Sequence, residues 1–124
     1  MGLTYTIHYP GGNQPAWETI HESLARVNVV AQLRMIDGLP AFPDESPPPE
    51  WSELRIGTSA GMITLRRQGT NLAFTVWGNA DVNLITCLHR VVWSCASAGG
   101  GLISDSGPML TPPEFAESVA LSPP

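Results

Sequence analysis

The sequence predicts an α+β fold: a two-layer sandwich with two main helices and a short C-terminal helix on one face of a mostly antiparallel sheet. Three observations carry that expectation. Leu3, Tyr5, Ile7 and Tyr9 alternate with Thr4, Thr6 and His8, which is the period of two of a half-buried strand. Trp17, Ile20, Leu24 and Val27 recur at helical spacing along one apolar stripe, as a helix lying on a sheet requires. Between Leu54 and Trp77, strand-like runs are separated by breaks of three or four residues, which suits an antiparallel meander. A ferredoxin-like arrangement, or a variant with an extra strand or two, fits that order best.

In chain order, the first strand ends at Pro10-Gly11-Gly12. The first helix is predicted over about 13 to 28, with Asn13 as N-cap and Pro15 in the first turn. Alternation returns from Val29 to Ile36, with Ala31, Leu33 and Met35 on one side and Gln32 and Arg34 on the other. Asp37 to Ser52 holds Pro40, Pro43, Pro47, Pro48 and Pro49, and therefore reads as a partly polyproline-like loop. Leu54–Thr58, Met62–Arg67 and Leu72–Trp77 are the meander strands. A long helix over about 80 to 98 closes at Gly99-Gly100-Gly101, since glycine accommodates a left-handed cap. Leu102 and Ile103 form a last strand pair with Met109-Leu110 around the turn Asp105-Ser106-Gly107. Thr111-Pro112-Pro113-Glu114 is a capping box that starts a helix over about 112 to 120. Residues 1–120 make one α+β domain, and 121–124 a frayed tail.

Composition excludes several functions. The chain has 124 residues, no lysine, and six arginines against eleven acids, for a formal charge of −5. Without lysine there is no side-chain Schiff base and no phosphate-loop lysine. So few cations argue against nucleic acid as a partner. The apolar runs fall far short of the ~20 residues a membrane span needs. Only 14% of residues are charged, against a usual ~25%, so the surface suits a protein partner or a second copy, as in a homodimer. Cys87 and Cys95 fall on one helix, ~12 Å apart at ~1.5 Å per residue, beyond reach of a disulfide. Free thiols and the lack of a signal-peptide pattern predict a soluble, cytoplasmic protein. Gly2 and Thr6 match a myristoylation pattern, but the strand reading of the same residues is preferred.

Several motifs invite chemistry. Gly57-Thr58-Ser59-Ala60-Gly61 has the G-x-S-x-G form, with Asp81 and His89 following in hydrolase order. A strand after Gly61 puts Ser59 in a hairpin turn, and Asp81 and His89 stand eight residues apart on one helix, so no triad is expected. Cys87, His89 and Cys95 lack zinc spacing, so neither a metal nor a cofactor is expected. Gly99-Gly100-Gly101 follows a helix and so offers phosphate no helix N-terminus.

Two candidate sites remain. His8, Arg66 and Trp77 share the polar parity of their strands and form a candidate ligand site on an open sheet face. The proline loop gathers Asp44, Glu45, Glu50 and Glu53 between positions 44 and 53 and ends near Trp51. Asp44, Glu45, Glu50 and Trp51 are therefore candidate partner-binding residues, joined by Trp93, which widens the apolar arc of the long helix. The expected function is a small non-catalytic protein-interaction module. In size, charge and α+β build it is similar to the small acidic immunity proteins that neutralise bacterial toxins, which implies inhibition of a basic partner. The alternative is a small-ligand-binding or enzymatic domain around His8 and Arg66.

Overall fold

The computed structural model describes residues 2–12, 14–78, 80–105 and 107–121. Its elements run β1 (Leu3–His8), α1 (Trp17–Arg26), β2 (Gln32–Ile36), β3 (Leu39–Pro40), β4 (Glu53–Thr58), β5 (Gly61–Gln68), β6 (Asn71–Val76), α2 (Val82–Gly99), β7 (Leu102–Ser104) and α3 (Pro112–Ser118). The seven strands form one sheet in the order β3-β2-β4-β5-β6-β1-β7, every neighbouring pair antiparallel. β4, β5 and β6 are the expected meander. The first strand lies between the end of that meander and the last strand, so α2 crosses over β1. A ferredoxin-like plan has four strands in the order β-α-β-β-α-β; this sheet has seven.

Period two decides which side of each strand is buried. Tyr5 and Ile7, Leu54 and Ile56, Ile63 and Leu65, and Leu72 and Phe74 all face the helices and are buried. Against them pack Ile20 and Leu24 of α1, Leu88, Val91 and Cys95 of α2, and Phe115 of α3. α2 touches both α1 and α3, and Ser94 Oγ donates to the Ser23 carbonyl at 2.7 Å to tie the two long helices together. The apolar arc of α2 is wide because a sheet and two helices share it.

The helix ends follow the expected chemistry, with one exception. Thr111 and Glu114 form the capping box of α3, and Gly100 closes α2 in the left-handed region at φ 66°. Asp81 caps α2 by accepting from the Leu84 N–H at 2.9 Å. α1 begins only at Trp17, and Ala16 at its N-cap offers no side-chain acceptor; the expected cap, Asn13, lies outside the described residues.

β2 departs from the alternation read in the sequence. Residues 29–31 precede the strand, and a bulge between Leu33 and Met35 shifts the register. Leu33 stands opposite Ile56 on the covered face, but Met35 stands opposite Arg55 on the open one. The extra residue of a bulge reverses the facing of everything after it. The proline loop also contains a short strand, β3, paired with Met35 and Ile36, which proline-rich composition concealed.

Candidate functional site

The open face presents the alternate residues of the same strands. Thr4 and Thr75, opposite one another on β1 and β6, share a hydrogen bond of 2.8 Å between their hydroxyls. Trp77 lies back over this row, its Nε1 donating to Thr64 Oγ1 at 3.4 Å. Thr64 is accordingly only 3% exposed, while Trp77 itself remains 55% exposed. The Arg66 guanidinium carbon sits 5.9 Å from the Trp77 ring centroid, and its Nε donates to Glu53 Oε1 at 2.6 Å. Arg66 and Trp77 thus come together as their parity predicts.

His8 does not join them. It lies on β1, with β6 between it and Arg66, and its Nε2 shares a hydrogen bond of 2.9 Å with the Ser104 hydroxyl of β7. A serine bonded to histidine is half of a nucleophilic device, which also needs a group to orient the ring. Among the described residues no carboxylate hydrogen-bonds to His8. The three residues expected to form one ligand site therefore stand as a pair and a separate histidine.

Other arginines reach this face. Gly57 leaves room for the Arg34 side chain: a Cβ there would lie 2.9 Å from Arg34 Nε. Arg34 donates to Gln32 Oε1 at 3.1 Å, and Arg55 stands exposed opposite Thr64. Three of the six arginines thus reach this face on a chain of net charge −5, and among the described residues Arg66 is the one that pairs with Glu53.

The proline loop has a locked base and an open tip. Asp37 Oδ1 accepts from the Ser52 N–H at 2.9 Å, the Ser52 hydroxyl at 2.8 Å and the Glu53 N–H at 2.8 Å. These bonds hold the Asp37 carboxyl below the usual carboxylate range, because they favour its charged form. Arg67 points to the covered side, in line with Ile63 and Leu65. Its Nη1 donates to the carbonyls of Pro49 (2.7 Å) and Trp51 (3.2 Å), and its Nη2 to that of Pro15 (3.3 Å). The guanidinium carbon stacks 3.9 Å from the Trp51 ring centroid. Trp51, expected to meet a partner, is 2% exposed: it belongs to the core and anchors the loop. Pro47 is buried beside it, whereas Asp44, Glu45 and Glu50 are exposed as expected. The loop adds two residues that the sequence reading missed, Leu39 of β3 at 69% and Phe42 at the tip at 74% exposed. Phe42 and Glu45 are joined in a turn, with the Glu45 N–H donating to the Phe42 carbonyl (3.0 Å) and the Phe42 N–H to Glu45 Oε1 (3.2 Å). No sequence signal separates Leu39 and Phe42 from Trp51, a buried apolar residue of the same proline-rich stretch.

The long helix carries no comparable site. Trp93 is partly buried against the core. His89 stacks edge-on against Tyr5 and Phe115, shares a hydrogen bond of 3.0 Å with the Tyr5 hydroxyl, and has its pKa lowered by burial. Burial pushes the Cys95 thiol up to about 12, so it packs as a small apolar group. Cys87 is partly buried and its pKa is raised for the same reason. Ser59 sits in the β4–β5 hairpin turn, where Thr58 Oγ1 accepts from the N–H groups of Ala60 and Gly61. Among the described residues no three His, Cys, Asp or Glu side chains gather as a metal site, and no helix is long and apolar enough to cross a membrane.

No family model matches the chain, and neither the curated proteins nor the solved structures contain a significant match.

Proposed function

We propose that the chain is a non-catalytic protein-interaction module that docks a basic partner through the tip of loop 37–52. The observation that carries this reading is the contrast within the loop: Phe42 and Leu39 stand out in solvent while the base is locked by Asp37, Arg67 and Trp51. A large apolar side chain held out on a preordered turn loses little entropy on binding and suits an interface hot spot. Asp44 and Glu45 beside it, with Glu50 further along the loop, select a basic surface and steer its approach. The partner is a basic protein with an apolar pocket for Phe42, and inhibition of such a partner, as by an acidic immunity protein, is the specific form of the reading. The two thiols, too far apart to bridge within their helix, agree with a reducing, cytoplasmic setting.

The test is a pull-down from native lysate with wild type, Phe42→Ser and the double variant Asp44→Lys/Glu45→Lys in parallel. Loss of one anchor of this kind costs about 2 kcal/mol or more, roughly thirtyfold in affinity. Proteins retained by wild type should therefore be lost by both variants and released by salt. A captured set that both variants retain in full refutes docking through the tip.

A further inference from the structure

Beneath the loop base is a cleft of about 360 Å³ that the docking proposal does not use. Its walls include Trp17 and Glu18 at the start of α1, Pro47 and Pro49 of the loop, Trp51, and Arg67. Trp51 Nε1 and Arg67 Nε are both shut off from water and have no partner among the described residues. The Arg67 guanidinium is met by carbonyls and the Trp51 ring, and among the described residues it has no carboxylate within ion-pair distance. Asp37, which acts on its charge, is already bound by Ser52 and Glu53. The first turn of α1 opens onto the same cleft with no side-chain cap, because Ala16 holds the N-cap position. A buried donor without an acceptor costs about 1–3 kcal/mol, so two on one wall are unusual unless something supplies the acceptor.

We propose that this cleft binds a small carboxylate with a flat apolar body. The carboxylate supplies the acceptors that Arg67, Trp51 and the start of α1 lack, with Arg67 as its charge partner. The body lies on the exposed rings of Pro48 and Pro49 in the cleft wall, since Trp17 and Trp51 are themselves buried. Seating it requires the proline segment to yield slightly, since both unpartnered N–H groups are covered. Glu18 is the opposing charge in the wall, and it weakens binding without blocking it.

The experiment is a ¹H–¹⁵N NMR titration of the full chain with benzoate. Its neutral isostere benzamide and inorganic phosphate serve as parallel arms. The Trp51 indole resonance is assigned by its loss in Trp51→Phe. Benzoate should shift the Trp51 Nε1–H and Arg67 Nε–H resonances saturably, and benzamide should leave them in place. Glu18→Gln should lower the half-saturating concentration by about two- to fivefold, the range of an exposed charge pair. Arg67→Lys, with fold checked by circular dichroism, should raise it by about tenfold or more. The Glu18 arm keeps the test decisive if the Arg67 variant does not fold. Equal response to benzoate and benzamide, a response to phosphate alone, or no saturable shift with benzoate overturns the proposal.

Discussion

The face of the sheet under the helices and the face turned away from them are built from alternate residues of the same strands, yet they hold their charges in opposite ways. On the covered face the one arginine, Arg67, is wrapped in backbone carbonyls and stacked on a buried tryptophan. On the open face its neighbour Arg66 pairs with Glu53 in partial contact with water. Neighbours of one residue type, on one strand, are thus a fastener and a surface charge. The difference teaches that position along a strand says less about a residue's part in the molecule than which side it faces. It also sets the two proposed sites apart: Phe42 at the loop tip stands outside the core, whereas the cleft is walled by Trp51 and Arg67, which the fold itself uses.

The largest test of that comparison sets Phe74 against Thr75. Phe74→Ala removes a fully buried ring from the centre of the covered face and should cost about 3–5 kcal/mol in denaturant unfolding. Thr75→Ala removes only the hydroxyl bonded to Thr4 and a methyl group, and should cost about 1–2 kcal/mol. Similar losses for the two variants would mean that the open face is as much a core as the other.

The next test compares the two arginines. Arg67→Met leaves the carbonyls of Pro15, Pro49 and Trp51 without their donor and ends the stack on Trp51. The expected loss is about 2–3 kcal/mol, with faster amide exchange confined to the loop base. Arg66→Met breaks a single part-exposed ion pair and should cost less than about 1 kcal/mol. If Arg66→Met proves the more damaging, the contrast between fastener and surface charge is wrong.

These same residues mark how far the sequence could be read. Alternation placed β1, β4, β5 and β6 and the face of each side chain, because strands of a half-buried sheet must alternate. The capping box of α3 and the glycine closing α2 were equally plain, being local chemistry. Arg67 had its signal too, since it shares parity with Ile63 and Leu65, but a charge in that row reads as a strand end. Trp51 and Phe42 could not be told apart. Both are aromatics in a proline-rich stretch, and only tertiary packing decides that one is buried while the other stands in solvent. The bulge at Arg34 was beyond reach for a similar reason. One inserted residue costs little locally, and its effect appears only in the pairing with β4. Within the candidate site, parity gathered Arg66 with Trp77 but left the strand order unknown, and the strand order is what puts β6 between Arg66 and His8.

The smallest expected effect comes from His89, the histidine on the covered side. His89 is packed among Tyr5, Phe115 and α2, and burial lowers its pKa below the ordinary value. The titratable group facing it is the Tyr5 hydroxyl, whose own pKa burial raises. The folded state therefore favours the neutral ring, while the unfolded chain takes up a proton near pH ~6.5. Folding then releases that proton, so the contribution of His89 is complete above ~6.5 and is lost as pH falls through the folded value. Thermal unfolding between pH 7 and 5 should show a declining midpoint in the wild type. His89→Gln keeps a polar side chain of similar reach but cannot titrate, so its midpoint should fall less over the same range. A midpoint that falls as steeply in His89→Gln as in the wild type would take the acid sensitivity away from the covered face.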